Sequence, residues 1–136
     1  MTSQFVDTSY LIAVEVADDQ MHEVASRHWR DWLETPSSTL VTSSYVLVEV
    51  VAYLNNHRRH SKAVELGNNL LSSKSINLIH VNEAILLDGW RYFQKHSDKS
   101  YSLTDCISFV LMTKLGIVEA LTFDKHFAQA GFVKLP

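Results

Sequence analysis

Short apolar segments that alternate with amphipathic ones are the feature that most restricts how this 136-residue chain can fold. Strands are predicted at residues 3–7, 39–42, 76–81, 117–123 and 132–135. Helices are predicted at residues 8–16, 19–34, 44–57, 62–72, 82–96, 105–115 and 125–129. Strands that are separated by helices favour a parallel sheet covered on both faces. The sequence therefore predicts a three-layer α/β/α fold.

Length and composition indicate one domain over residues 1–136 that can bury a core without disulfides. The hydrophobic content of 46% and the charged content of 20% are ordinary for a globular protein. The apolar runs are far shorter than the ~20 residues of a membrane span, and no signal peptide is evident. The single cysteine, Cys106, fits a reducing compartment. We therefore expect a cytoplasmic protein without a membrane segment.

Four acidic residues stand where an apolar strand or helix begins, ends or is buried. Asp7 ends one predicted strand and Asp124 follows another, Glu49 interrupts an apolar helix, and Asp105 opens a further helix. An ionised carboxylate is costly in such surroundings unless a partner compensates its charge. No Lys or Arg lies within a few residues of Asp7, Glu49 or Asp105. Because ligands bind beyond the carboxyl ends of parallel strands, we expect the four side chains to converge at that edge.

Helix capping is an alternative explanation for three of these acids. Asp7 and Asp124 can each be an N-cap, and Asp105 can complete a capping box with Ser102. Glu49 is harder to explain in this way, because it shares a helical face with apolar residues and is predicted to be buried. Carboxylates are hard ligands that suit Mg²⁺ or Mn²⁺, and the dispersed histidines do not have the spacing of a zinc site. The sequence therefore predicts a Mg²⁺ site that also accepts Mn²⁺.

The charge of the chain neither indicates nor excludes a nucleic-acid substrate. The formal net charge is −3, and without the four carboxylates the rest of the chain has a net charge of +1. The only concentrated basic segment contains Arg58, Arg59 and Lys62. It can be a solvated helix end whose cations favour the helix dipole, or a patch that contacts phosphates near the site.

Five short motifs resemble those of the PIN-domain nucleases, and within them the VapC-type toxins of toxin–antitoxin pairs. The motifs are Phe5-Val6-Asp7-Thr8-Ser9, Glu49-Val50, the segments 103–109 and 120–127, and Ala130-Gly131-Phe132. They occur in the order of the family and span nearly the whole chain. The acidic quartet shows no departure from the pattern of the family.

The resemblance implies a five-stranded sheet of order 3-2-1-4-5 and metal-dependent endonucleolytic cleavage of RNA. It also implies a small antitoxin partner and a homodimer. Because no protein nucleophile is evident, the consistent mechanism is metal-assisted, in-line attack of water on a phosphodiester. The acidic site residues that it implies are Asp7, Glu49, Asp105 and Asp124, and the supporting hydroxyls are Ser9, Thr104 and Thr122.

Two other classes of protein also gather acids and Mg²⁺ at strand ends. A haloacid-dehalogenase-like phosphatase needs a second Asp two residues after the first, and Ser9 stands at that position. A receiver-like signalling module typically has a Lys after a late strand to hold phosphate, and Lys125 is a poor match. An acyl phosphate on Asp7 would favour either alternative, whereas RNA cleavage without a covalent intermediate would favour the nuclease.

Overall fold

The computed structural model describes residues 2–136, in which strands and helices alternate largely as the sequence predicts. The strands are β1 (Thr2–Val6), β2 (Ser38–Ser43), β3 (Ile76–Ile79), β4 (Glu119–Leu121) and β5 (Val133–Leu135). The helices are α1 (Thr8–Glu15), α2 (His22–Glu34), α3 (Ser44–Asn56), α4 (His60–Ser72), α5 (Glu83–Lys95), α6 (Leu103–Leu115) and α7 (Lys125–Gln129). The expected domain over residues 1–136 includes Met1, which lies outside the described residues. No helix in residues 2–136 has the length and apolar character needed to cross a membrane.

The five strands form one parallel sheet in the order β3-β2-β1-β4-β5, so the predicted strand order is confirmed. The chain runs outward from β1 to β3, and then returns to build β4 and β5 on the other side of β1. Because parallel crossovers are right-handed, this path puts α1–α4 on one face and α5–α7 on the other. The packing agrees, since α1 contacts α2 and α3, α3 contacts α4, and α6 contacts α5 and α7. The three-layer prediction is therefore confirmed.

The central strands β1 and β4 form the middle of the core. Phe5 and Val6 on β1, and Ala120 and Leu121 on β4, are fully buried. Strands that are covered on both faces need this continuous apolar character. A polar residue that directly follows β1 or β4 therefore lies at the edge of the core.

Several element boundaries differ from the prediction by one to three residues, and two of these differences have evident local reasons. The helix expected from residue 19 begins at His22, because the side chain of Asp19 accepts a hydrogen bond of 2.9 Å from the N–H of Met21 and forms a turn. The strand expected at residues 117–123 is limited to Glu119–Leu121. Its first expected residue, Ile117, still donates its N–H to the last turn of α6. In both cases a side-chain or helix-end hydrogen bond competes with the regular element.

Candidate active site

A pocket of about 250 Å³ lies at the carboxyl-terminal edge of the sheet, where the strand order switches between β1 and β4. The helices α3 and α6, which belong to opposite layers, contact each other near this edge. The residues that line the pocket are Asp7, Thr8, Ser9, Ile12, Glu49, Tyr53, Asp105 and Asp124. All four carboxylates that the sequence singles out therefore border one pocket.

Larger depressions lie elsewhere on the surface, and two of them have more than twice the volume of this pocket. One of about 750 Å³ lies beside α2, and one of about 650 Å³ lies between α3 and α4. Neither is lined by a buried carboxylate, and the second is mainly apolar. Chemistry, rather than size, therefore identifies the smaller pocket as the candidate active site.

Asp7 is held by hydroxyl groups that leave one of its oxygens available. The residue is 3% exposed, and Oδ2 lies 2.8 Å from both Ser9 Oγ and Thr122 Oγ1. Ser9 Oγ accepts from the N–H of Phe123, and Thr122 Oγ1 accepts from the N–H of Asp124, so both hydroxyls can donate to Asp7. Within residues 2–136, every hydrogen bond to this carboxylate ends on Oδ2. Oδ1 is thus left for a ligand in the pocket.

The predicted capping roles exist and coexist with the shared pocket. Asp7 is the N-cap of α1, and Asp124 is the N-cap of α7 with a 2.9 Å bond to the N–H of His126. Asp105 and Ser102 form the complete capping box of α6, with bonds of 3.1 and 3.0 Å. Each cap engages one oxygen of a carboxylate. Capping therefore does not exclude a ligand-binding role for the same side chains.

Glu49 is half-buried, so the prediction that it is buried on an apolar face is wrong. The face that it shares includes Val48, which is 64% exposed, and Ala52, which is also exposed. The buried face of α3 instead carries Val46, Val50 and Leu54. Because those three side chains pack into the core, Glu49 is turned toward the rim of the pocket.

The predicted supporting hydroxyls have different surroundings. Ser9 and Thr122 contact Asp7 directly, as described above. Thr104 lies half-buried in the first turn of α6 and is not part of the pocket lining. Thr104 therefore precedes Asp105 in the sequence but does not line the pocket.

Sequence reasoning missed His126. Its Nδ1 lies 3.2 Å from Asp105 Oδ2 and 3.1 Å from Asp124 Oδ1, and its side chain is 15% exposed. The prediction treated the histidines as dispersed, although this one follows Asp124 by two residues. That spacing at the start of a helix could have indicated the contact with Asp124. The contact with Asp105 depends on how α6 and α7 pack.

Burial and mutual repulsion raise the pKa of two of the carboxyl groups. Burial raises the pKa of Asp7 to about 6, and the charge of Asp105 adds to this effect, while hydrogen bonds from Thr122 and Ser9 oppose it. Burial also raises the pKa of Asp105, with a contribution from Asp124. Within residues 2–136, the ion pairs of Lys and Arg involve none of the four acids. A bound cation would relieve this uncompensated charge.

The donor atoms fit a divalent cation. One oxygen each of Asp105 and Asp124 and a ring nitrogen of His126 lie within 4.8 Å of one another. Asp7 Oδ1 and Glu49 border the same pocket, and the buried hydroxyl of Thr8, another lining residue, has no hydrogen-bond partner among the described residues. A set made mainly of carboxylate oxygens suits Mg²⁺ or Mn²⁺.

The basic segment is partly neutralised by acids. Arg59 Nη2 lies 3.1 Å from Asp18 Oδ1, and Lys62 Nζ lies 3.3 Å from Glu15 Oε2. Arg58 is exposed and has a positive φ of 60° just after α3. Two of the three predicted phosphate contacts are therefore ion-paired in the free protein.

Comparison with known proteins finds relatives over nearly the whole chain. The profile of the PIN domain matches residues 5–133. The "23S rRNA-specific endonuclease VapC20" of two strains of Mycobacterium tuberculosis is 34% identical over 131 residues, which cover 96% of each chain.

The solved structures agree with this result. The crystal structure of Mycobacterium tuberculosis VapC20, described as a "Sarcin-Ricin loop cleaving toxin", has a TM-score of 0.88 at 33% identity and covers 96% of this chain and 97% of its own. A toxin–antitoxin complex from Klebsiella pneumoniae has a TM-score of 0.65 at 14% identity, and the match covers 98% of this chain and 96% of its own. The second similarity concerns the fold only.

Proposed function

The chain belongs to the PIN-domain family, and we propose on that basis that it is an endoribonuclease that hydrolyses RNA phosphodiester bonds at the acidic pocket. The observation that carries the proposal is the convergence of Asp7, Glu49, Asp105 and Asp124 on one pocket without a Lys or Arg partner among the described residues. Similarity to an rRNA-specific endonuclease over 96% of both chains supports the substrate class. The family does not favour the phosphatase or receiver-like alternatives.

Mg²⁺, with Mn²⁺ as a substitute, is the proposed cofactor. The residues that would hold it are Asp7, Glu49, Asp105 and Asp124. When bound, a divalent ion supplies Lewis-acid charge that activates water and stabilises the leaving oxygen. The chain prepares the pocket for this role, because Ser9 and Thr122 fix one oxygen of Asp7.

The hydroxyls of the pocket favour water as the nucleophile. Ser9 Oγ lies 2.8 Å from Asp7 Oδ2 and accepts the N–H of Phe123, so it is already engaged. The hydroxyl of Thr8 is buried and has no base within hydrogen-bond distance among the described residues. A nucleophilic hydroxyl would need a general base beside it, and among the described residues Thr8 lacks one. Ser9 Oγ does lie beside the Asp7 carboxylate, but it is held in the hydrogen bonds that fix this carboxylate. Water that enters the pocket is therefore the attacking group that we propose.

Removal of divalent metal is expected to abolish RNA cleavage. The unpaired carboxylates would then repel both each other and the phosphate of the substrate. The measurement is cleavage of structured RNA by the pure protein in Mg²⁺, in Mn²⁺ and in chelator, followed by readdition of Mn²⁺. Cleavage should disappear in chelator and return with Mn²⁺. Equal activity in chelator would refute the metal requirement, and an acyl phosphate on Asp7 would refute the nuclease assignment.

Arg58, Arg59 and Lys62 are proposed to contact the RNA backbone beside the pocket. A second depression, of about 330 Å³, is lined by Arg59 and shares Tyr53 with the acidic pocket. Cations next to the scissile phosphate would attract the backbone without reading its sequence. The ion pairs with Asp18 and Glu15 reduce the charge that is free to act in this way.

Replacing Arg58 and Arg59 together by Ala should weaken RNA binding uniformly across sequences. Because each phosphate contact contributes about one unit, the slope of log K against log salt should flatten by up to about two. The matched control replaces Arg91 and Lys95 by Ala, which removes two charges from α5 on the other face, one of them paired with Asp88. The measurement is RNA affinity at several salt concentrations. If the slope changes equally in this variant and in the control, the basic segment is better interpreted as a solvated helix end.

A small antitoxin is the proposed protein partner, and a homodimer in the cytoplasm is the proposed working form. The antitoxin proposal is supported by the similarity to a VapC toxin and by the fold that the chain shares with a toxin–antitoxin complex. The homodimer is proposed from the family resemblance. Exposed apolar side chains on α5, which include Trp90 and Phe93, offer one surface for such contacts.

A further inference from the structure

We propose that His126 is a positioning residue of the acidic site, whose imidazole fixes the direction of one oxygen of Asp105 and whose backbone N–H holds one oxygen of Asp124. The inference rests on the function proposed for the pocket. His126 Nδ1 stands between Asp105 Oδ2 at 3.2 Å and Asp124 Oδ1 at 3.1 Å. On the other side of the ring, Nε2 lies 3.0 Å from Ser100 Oγ.

The contacts define which ring nitrogen carries the proton. Ionised carboxylates can only accept hydrogen bonds, so Nδ1 is the donor toward Asp105 Oδ2. Asp124 Oδ1 lies at a similar distance from Nδ1, but it is not a second acceptor of this single N–H. In the neutral ring, Nε2 then accepts a hydrogen bond from the hydroxyl of Ser100. One tautomer therefore satisfies both hydrogen bonds of the ring, and Ser100 favours that tautomer.

The ring completes a pair of donors on Asp105. Asp105 Oδ2 also accepts the N–H of Ser102 at 3.1 Å, whereas Asp124 Oδ1 accepts the backbone N–H of His126 at 2.9 Å. Two donors on one oxygen restrict rotation of the carboxylate, and the second oxygen is left without them. Partners of this kind orient metal ligands, and their loss typically weakens metal affinity or activity about 10–100-fold.

The imidazole is itself fixed by its surroundings. Tyr101 meets the ring edge-on, with 5.4 Å between the ring centroids. The side chain is 15% exposed, and its backbone lies in the first turn of α7, directly after the capping residue Asp124. His126 therefore joins α6 and α7 at the two acids that close one side of the pocket.

Two substitutions separate positioning from simple loss of a ring. In His126→Asn, the amide nitrogen can occupy the position of Nδ1 and donate to Asp105. In His126→Gln, the amide extends toward the position of Nε2, and that donor is lost. We expect Mn²⁺ and Mg²⁺ to bind His126→Gln about 10–100-fold more weakly, and His126→Asn to retain most of the affinity. The measurement is calorimetric titration of each protein with metal, in the absence of RNA.

Two control variants test whether ring packing or the tautomer of His126 affects metal affinity. His96 also meets Tyr101, at 6.0 Å between centroids, but its Nδ1 bonds the carbonyl oxygen of Tyr92. His96→Gln should therefore leave metal affinity unchanged. Ser100→Ala, at an exposed position, should weaken metal binding in the same direction as His126→Gln but by less. Thermal unfolding in chelator verifies that each variant is folded.

Several outcomes would overturn the proposal. They are unchanged affinity in a folded His126→Gln protein, equal loss in the Asn and Gln variants, and a selective loss of Mn²⁺ over Mg²⁺ binding, which would make His126 a direct ligand. If His126→Gln does not fold, unchanged affinity in Ser100→Ala would overturn it. Wild-type protein that binds metal but cleaves no RNA would refute the proposed function and leave the role of His126 standing.

Discussion

Replacement of Asp7 by Asn is expected to abolish RNA cleavage and, at neutral pH, to make the metal-free protein more stable. The substitution preserves size, and Asn caps helices about as well as Asp. The amide oxygen can still accept from Ser9 and Thr122, but the charge toward the pocket is lost. Loss of a group that only orients a metal ligand already lowers metal affinity or activity about 10–100-fold. Because Asp7 is itself a proposed metal ligand, we expect cleavage by Asp7→Asn to fall by more than about a hundredfold.

The expected gain in stability follows from the pKa of Asp7, which burial raises from 3.8 to about 6. Below pH 3.8 the group is protonated in both the folded and the unfolded chain and contributes nothing. Between pH 3.8 and about 6, the unfolded chain ionises first, so the free energy of unfolding falls as pH rises. Above about pH 6 the full cost, about 3 kcal/mol at most, is present, and Asn removes it.

Thermal unfolding in chelator at several pH values measures this effect. The melting temperature of Asp7→Asn should exceed that of the wild type at pH 7 and approach it near pH 4. Added Mn²⁺ should raise the melting temperature of the wild type more than that of the variant. The control is Asp98→Asn at an exposed position, which should change neither property. An Asp7→Asn protein that is less stable but still cleaves RNA would mean that Asp7 is only a cap.

Gly89→Ala is expected to destabilise the fold because α5 and α6 are in close contact at this glycine. A Cβ at Gly89 would lie 2.6 Å from Ile107 Cγ1 and 3.1 Å from Ile107 Cα. The backbone of α6 cannot move without disturbing Asp105, which lies two residues before Ile107. Overpacking of this kind costs about 1–3 kcal/mol, so the midpoint of denaturant unfolding should fall and cleavage should weaken.

Gly67→Ala is the matched control, since it is also a helical glycine. Its Cβ would meet Val51 Cγ2 at 3.7 Å, which is an ordinary contact. The gain in helix propensity, about 1 kcal/mol, should therefore make this variant more stable. Urea unfolding of both variants tests the difference. A Gly89→Ala protein as stable as Gly67→Ala would show that α5 and α6 can separate without cost.

The order of elements and the caps could be predicted because the signals are local. Apolar period and capping residues act within a few positions, so Asn82 marks the start of α5. The capping box of Ser102 and Asp105 was also recognised, although α6 begins at Leu103, two residues before the predicted start. The motifs around Asp7 and Asp124 indicated the family. Boundaries failed where a single hydrogen bond decided the outcome, as at Asp19 and Ile117.

The sequence by itself determined the alternation of strands and helices, the family, and which acids lie at the ends of strands. These features could be predicted because periodicity and motifs depend on residues that are close together in the chain. Only the tertiary structure decided that Glu49 lies at a rim rather than in the core, that His126 reaches Asp105, and that Arg59 is paired with Asp18. These contacts join residues from different elements. Their distances depend on how helices pack across the sheet, which no local pattern of residues specifies.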